Sequence, residues 1–295
     1  MFLAAFFATL SHPRWWAISL AGFLVRGGVL LLLIPIVVPP TVAGLMSLAA
    51  PTIIGAVLVG GPNTPVGLVA LIAAVVVFVW LAIAGRFGTW FDAALVAEAA
   101  ADEDAGLEMQ LRRPIPNGLA TARLLPHVLT AIVFVVAAAQ VFAVVYAEAT
   151  TPGAPTTPFV IRVVSQTPGQ VIGLLAIWLI AEAVGGLAFR ELLIERGRAS
   201  GVGTAVWRGA QTLLRPRAIV AFAIVNLVTV IAAAPGWLAS ARAWGQLRLL
   251  YTDGADALGL AVGLLIFVAV VLGWLTLLGV ALAWRSAVWT AVIAD

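Results

Sequence analysis

Long apolar stretches, separated by short polar segments, dominate the hydropathy pattern of the chain. A helix needs about 20 mostly apolar residues to cross the hydrocarbon core of a bilayer, which is about 30 Å thick. Six stretches meet this requirement, at roughly 15–38, 66–84, 127–147, 168–189, 217–237 and 257–284. The pattern therefore predicts an all-α polytopic membrane protein with six transmembrane helices.

A seventh apolar run, 41–60, is interrupted by Pro51 and flanked by prolines and glycines. Counting it as a span would place two arginine-rich loops on opposite sides, against the excess of basic residues that cytoplasmic loops carry. We therefore interpret 39–65 as an external or re-entrant segment. With six spans, both termini are predicted to be cytoplasmic and the cell membrane is the predicted location. Twelve of the sixteen arginines then lie on the cytoplasmic side: Arg14, Arg86, Arg112, Arg113, Arg123, Arg190, Arg196, Arg198, Arg208, Arg215, Arg217 and Arg285.

The sequence also contains a threefold internal repeat. Three similar segments begin with tryptophans that are 98 and 96 residues apart: Trp80, Trp178 and Trp274. Short apolar patches precede three prolines, which suit the first turn of a helix because they lack an N–H group: Pro13, Pro126 and Pro216. We interpret each patch as a short interfacial helix, called here an opening helix. Each unit then consists of an opening helix, two spans joined outside, and a cytoplasmic helical extension.

The repeat predicts one transmembrane domain over 1–295, made of three parallel helical hairpins. The repeat units cover about 1–100, 115–198 and 203–295. The clearest opening helix is 204–214, in which four apolar residues share one face: Val206, Ala210, Leu213 and Leu214. This pattern is typical of an amphipathic helix that lies on a membrane surface.

Composition limits the chemistry that the chain can perform. Of 295 residues, 63% are hydrophobic and 10% are charged, whereas a soluble domain has about 25% charged residues. Cysteine is absent, which excludes disulfides, cysteine-bound zinc and iron–sulfur clusters. All sixteen basic residues are arginine, so a Schiff-base lysine is excluded. The net charge is only +3, and attraction of the arginines to anionic lipid accounts for them without a nucleic-acid partner.

Two charged residues lie deep enough in predicted spans to require a partner. Arg26 lies about a dozen residues into the first span, and Glu182 lies within the fourth. Because a central arginine costs roughly 2.5–3.5 kcal/mol on insertion scales, it should face protein. We predict an intramembrane ion pair between Arg26 and Glu182. A structural pair, snorkelling to the interface, and a proton or anion pathway all stay open.

The remaining polar positions have less specific interpretations. Asn226, Gln140 and Gln170 fit hydrogen bonds between helices, with a ligand role as the alternative. The two histidines make a poor metal site without cysteines or nearby carboxylates, so no metal or cofactor is predicted. Five arginines are expected to contact lipid headgroups or a partner at the cytoplasmic face: Arg196, Arg198, Arg208, Arg215 and Arg217.

The stretch from Phe189 to Arg217, with its WRGAxxLLRPR segment entering a span, resembles a group of uncharacterised bacterial and archaeal six-helix membrane proteins. A weaker match runs from Phe91 to His127. This group includes the membrane region attached to some glycerophosphodiester phosphodiesterases. The resemblance implies a six-helix membrane fold. It carries over no catalytic residue, because the catalytic carboxylates and histidines of those enzymes lie in a separate soluble domain.

Three classes of function remain compatible with the sequence. The first is a non-catalytic organising or accessory subunit that binds lipid and a partner, and it is the one we predict. The second is a transporter, or the permease subunit of an ATP-driven exporter whose ATPase contacts 190–216. The third is a membrane enzyme acting on lipid, which the sequence disfavours because no catalytic constellation of polar residues is present.

Overall fold

A computed structural model describes residues 2–29, 65–101, 118–150, 159–194 and 201–294. This part of the chain is all-α. Its helices are α1 Phe2–Ser11, α2 Pro13–Phe23, α3 Pro65–Ala101, α4 Leu119–Leu124, α5 His127–Thr150, α6 Phe159–Gln166, α7 Pro168–Leu193, α8 Val202–Leu213, α9 Pro216–Thr252 and α10 Ala257–Ala294. The predicted segment 39–65, apart from Pro65, lies outside the described residues, as do Arg196 and Arg198.

Four helical segments within the described residues are long and apolar enough to cross a membrane. They are Leu119–Ala137, Pro168–Leu193, Pro216–Thr252 and Ala257–Ile293. This supports a multi-pass membrane protein. The helices α9 and α10 extend beyond the ends that the sequence predicted at 237 and 284. At 37 residues, α9 is about 55 Å long, so it exceeds the hydrocarbon core. The apolar pattern therefore indicates the part of each helix that fits the hydrocarbon core of the bilayer, while the helix extends beyond that part.

Helices break at the three prolines that the repeat singled out. The helix α1 ends at Ser11 before Pro13, and α8 ends at Leu213 before Pro216. The helix α4 ends at Leu124, and α5 begins at His127 after Pro126. A short helix therefore precedes a longer one at each of these positions.

The chain divides into two compact units. Unit 1 comprises 1–111 and 217–295, and unit 2 comprises 112–216. In unit 1, α2 packs against both α3 and α10, and α1 packs on α10. The core between them contains Trp15, Leu95, Ala99 and Ala283. The indole N–H of Trp284 donates to the backbone oxygen of Phe2, which holds the beginning of α1 on α10.

In unit 2, the C-terminal half of α7 is buried by the helices around it. The helices α4, α5 and α8 pack on α7, and their core contains Ala122, Ala188, Leu192 and Ala205. A Cβ atom at Gly209 of α8 would lie 2.8 Å from the backbone oxygen of Val184. The missing side chain therefore lets the backbones of α8 and α7 come into contact.

An opening helix packs on a long helix in the same way in both units. The helix α1 lies on α10, and α8 lies on α7, each with small residues in the contact. In the predicted repeat, α8 opens the third unit and packs on the second arm of the second hairpin, whereas α1 opens the first unit and packs on the second arm of the third hairpin. The threefold repeat stays a prediction, since contacts divide the chain into two units.

Candidate functional site

Arg26 lies in a π-helical turn, Leu24–Gly28, that ends α2. Gly27 in this turn has φ 111°, a conformation that favours glycine because other residues meet steric strain there. A Cβ on Gly27 would lie 2.7 Å from the ring of Trp80 on α3. The Arg26 side chain reaches α3, where its Nη1 donates to Oδ2 of Asp92 at 2.5 Å. We call Arg26 and Asp92 the unit 1 pair.

A second charged group joins α4, α5 and α7 in unit 2. Nη2 of Arg123 donates to Oε1 of Glu182 at 2.5 Å, and Nη1 donates to the backbone oxygen of Glu182 at 3.2 Å. Nε2 of His127 lies 3.5 Å from the other carboxylate oxygen. The Arg123 side chain is only 9% exposed, and the Glu182 carboxylate places an opposite charge beside it. We call Arg123, His127 and Glu182 the unit 2 cluster.

Both arginines cross a long helix at a glycine. A Cβ on Gly88 would lie 2.5 Å from Cγ of Arg26, and a Cβ on Gly186 would lie 2.5 Å from Nη1 of Arg123. Gly88 and Gly186 are 98 residues apart, which is the spacing of the first two repeat tryptophans. The carboxylate lies four residues from the glycine in each case, after it at Asp92 and before it at Glu182. In both units, a glycine therefore admits an arginine beside an acid.

The predicted pairing of Arg26 with Glu182 stays a prediction, and the side-chain bonds described for these two residues go to other partners. Arg26 belongs to unit 1 and bonds Asp92, whereas Glu182 belongs to unit 2 and bonds Arg123. Each charge is compensated by a helix that packs beside it in its own unit. Sequence reasoning missed Asp92 and Arg123 because both lie just beyond the apolar stretches that were taken as spans. The sequence signal that could have indicated these partners was the spacing of Gly88 and Gly186, which are 98 residues apart and each near an acid.

The uncharged polar residues are also bonded. Nε2 of Gln170 donates to Oε1 of Gln140 at 3.0 Å, which joins α5 to α7. Nδ2 of Asn226 donates to the backbone oxygen of Phe222 at 2.8 Å, a bond within α9. Gln140 therefore has a partner on another helix, while the bond described for Asn226 is to its own helix.

The basic segment 190–216 is partly buried and partly at the surface. Arg190 is buried and donates to the backbone oxygen of Gly186 at 2.9 Å. Arg208 is half-buried, and both Arg215 and Arg217 are exposed. Of the arginines expected to contact headgroups or a partner, three are therefore described, and none of the three is buried.

Within the described ranges, no group of three or more histidine or acidic side chains is arranged to hold a metal ion. Known protein families, curated proteins and solved structures give no match to this chain. The chemistry of the site must therefore be argued from its geometry. In both units, an arginine and a carboxylate neutralise each other across a close helix contact. Such a pair can fix how two helices pack, since removing either partner would leave a buried charge.

Proposed function

We propose that the protein is a six-span integral membrane protein whose role is non-catalytic, as an organising or accessory subunit. Its three parallel hairpins, each with an interfacial opening helix, lie in the cell membrane with both termini in the cytoplasm. The observation that supports this role is the local compensation of Arg26 by Asp92 and of Glu182 by Arg123. Charges that hold neighbouring helices together have a structural use that needs no substrate.

The unit 2 cluster favours this role over a charge pathway. An ion or proton pathway requires groups that water reaches and that exchange partners during transport. Arg123 instead makes two bonds to the same residue, and its side chain is nearly enclosed. The stretch from Phe189 to Arg217 resembles uncharacterised six-helix membrane proteins, and this resemblance remains part of the proposal. A membrane region without its own catalytic groups agrees with it.

The proposed topology can be tested directly because the chain contains no cysteine. Single cysteines are introduced by Ala105→Cys, Ala154→Cys, Gly197→Cys and Asp253→Cys. A membrane-impermeant maleimide applied to intact cells should label positions 154 and 253 only, and lysis should expose 105 and 197. Labelling of position 105 in intact cells would contradict six spans with a cytoplasmic N-terminus.

The proposed role is tested by flux through proteoliposomes that contain the purified full chain. Proton and chloride flux should equal that of empty liposomes, both for the wild type and for Glu182→Leu. Flux that the wild type accelerates and Glu182→Leu abolishes would contradict a structural role and support a transporter. An ATPase subunit that crosslinks to 190–216 in native membranes would support the permease alternative.

A further inference from the structure

The helix α8 has one side that is fixed against unit 2. Ala205, Gly209 and Thr212 are buried, and the contact of Gly209 with the α7 backbone leaves no space for a side chain. This contact determines the rotation of α8 about its own axis. The positions of its two other sides follow from the helical period of about 3.6 residues.

A second side of α8 is apolar and exposed. Trp207 and Leu214 are 65% and 76% exposed, and they lie two helical turns apart on the same side. The half-buried residues Val206, Ala210 and Leu213 lie between this stripe and the buried side. Transfer of a tryptophan and a leucine at this exposure from water into an apolar or interfacial medium is favourable.

The third side of α8 is polar and basic. Arg208 and Arg215 are also two turns apart, so they form a stripe beside Trp207 and Leu214. Thr204 and Gln211 lie between the two stripes and are exposed. Around its circumference, α8 therefore has one side packed against unit 2, then an apolar side and then a basic side.

The neighbouring helices place α8 near the end of membrane-spanning segments. It lies along 184–192 of α7, the last third of a helix of 26 residues. Such a helix is about 39 Å long and exceeds a hydrocarbon core of about 30 Å. Three residues after α8 ends, Pro216 begins α9, which is long and apolar enough to span. The packing of α8 on α7 and its short link to α9 therefore both place α8 near the depth at which helices leave the hydrocarbon core.

We propose that α8 is a binding site for anionic phospholipid. Trp207 and Leu214 enter the boundary between headgroups and acyl chains, where the amphipathic indole ring is favoured. Arg208 and Arg215 bind the lipid phosphates, for which the planar guanidinium provides paired donors. This inference rests on the proposed function, because it deepens the lipid contact expected of an accessory membrane subunit.

The helix α1 provides an internal contrast. Its exposed large apolar residues are Leu3, Phe6, Phe7 and Leu10, and Phe2–Ser11 contains no charged residue. It can insert into any bilayer by its apolar area, but it offers no positive charge to a headgroup. Selectivity for anionic lipid is therefore assigned to α8 and not to α1.

The first test measures depth with nitroxide labels on single cysteines, Leu214→Cys and Gln211→Cys, in proteoliposomes of phosphatidylcholine and phosphatidylglycerol. Position 214 should be reached by oxygen in preference to a water-soluble nickel chelate, and position 211 should show the reverse. If the nickel chelate reaches both positions equally, α8 lies in water and a protein becomes the occupant of its surface. That result would overturn the proposal.

The second test measures lipid preference. The full chain is purified from vesicles of equal phosphatidylglycerol and phosphatidylcholine, and the retained lipid is counted by native mass spectrometry. The double variant Arg208→Gln/Arg215→Gln should lose about 25-fold in preference for phosphatidylglycerol, roughly fivefold for each arginine. The matched control, Arg242→Gln/Arg248→Gln, removes two exposed arginines from α9 and should lose less than twofold.

Equal losses in the two double variants would show that only total charge attracts the lipid, and they would overturn a site on α8. Arg208→Lys/Arg215→Lys should retain most of the preference, which separates lost charge from lost folding. The cysteine labelling of the loops distinguishes this inference from the proposed function. Correct topology with no lipid preference removes only the α8 site.

Discussion

The unit 1 pair and the unit 2 cluster solve the same problem with different parts of the chain. Each places an arginine beside a glycine, Gly88 or Gly186, and 2.5 Å from a carboxylate. In unit 1 the arginine comes from a π-turn and its side chain is 26% exposed. In unit 2 it comes from an opening helix and is 9% exposed. Both units therefore contain a glycine crossing, while the helix that supplies the arginine differs.

Removing the carboxylates should have the largest effect, and it should differ between the units. Glu182→Leu removes the carboxylate that lies against the nearly enclosed Arg123, which we expect to destabilise unit 2 by about 3–5 kcal/mol. Asp92→Leu should destabilise unit 1 by about 2 kcal/mol, because water still reaches part of Arg26. Hydrogen exchange of the purified protein, resolved by peptide, measures the opening free energy of each unit separately.

The control for this comparison is Asp253→Leu, which removes an exposed carboxylate from the turn between α9 and α10. It should change the opening free energy of unit 1 by about 0.5 kcal/mol or less. Equal effects of Glu182→Leu and Asp92→Leu would show that enclosure of the arginine does not determine the cost.

Loss of tryptophan packing should destabilise unit 1 more than unit 2, which is the reverse of the order expected for the carboxylates. Trp274 is 6% exposed and lies on Gly236 of α9, where a Cβ atom would overlap the indole ring. Trp178 in unit 2, its counterpart in the predicted repeat, is 45% exposed. We expect Trp274→Ala to destabilise unit 1 by about 3–5 kcal/mol, and Trp178→Ala to cost about 1 kcal/mol or less.

Thermal unfolding in detergent, followed by the same peptide-resolved exchange, checks whether Trp274→Ala destabilises its unit more than Trp178→Ala does. Trp274→Phe serves as the conservative variant and should recover much of the loss, because it restores an aromatic ring over Gly236. A Trp178→Ala effect as large as that of Trp274→Ala would indicate that the exposed tryptophan is packed in the membrane by another chain.

Sequence reasoning predicted the helical class, the membrane character and the three proline breaks, because each depends on local composition. The predicted beginnings at 168 and 257 agree with the structure, since Pro168 begins a helix and the Asp256 side chain accepts a bond at the beginning of another. The pairing of Arg26 could not be predicted in this way. It depends on which faces of α2 and α3 meet, and Asp92 lies in a part of α3 that composition assigned to an extension.

Glycines at or next to the two crossings should show an intermediate effect whose size depends on the atoms that a Cβ would meet. At Gly185 a Cβ would overlap the backbone oxygen of Arg123, whereas at Gly88 it would meet the flexible side chain of Arg26. Gly185→Ala should therefore destabilise unit 2 by about 1–3 kcal/mol through overpacking. Gly88→Ala should cost less than 1 kcal/mol, because the arginine can move and alanine favours a helix by about that amount.

Gly173→Ala is the matched control, since nothing lies within 4 Å of a Cβ at that position of α7. It should stabilise α7 by about 0.5–1 kcal/mol, the gain of replacing glycine inside a helix. Peptide-resolved exchange of α7 distinguishes the two signs within one helix. Stabilisation by Gly185→Ala would mean that α4 does not approach α7 as closely as the Arg123 contact requires.

The smallest effect is expected for the uncharged bond between α5 and α7, and it isolates what charge contributes to unit 2. A double-mutant cycle of Gln140→Leu and Gln170→Leu should give a coupling energy of about 0.6 kcal/mol, the average for hydrogen bonds between membrane helices. The same cycle on Arg123→Leu and Glu182→Leu should give at least three times that value, because each single variant leaves an enclosed charge or carboxylate. If the Gln140–Gln170 and Arg123–Glu182 coupling energies are equal, packing between the helices stabilises unit 2. The charges of the cluster then contribute no additional stability. If the two coupling energies differ as expected, charge stabilises the glycine crossing in unit 2 beyond what an uncharged hydrogen bond between the same helices contributes.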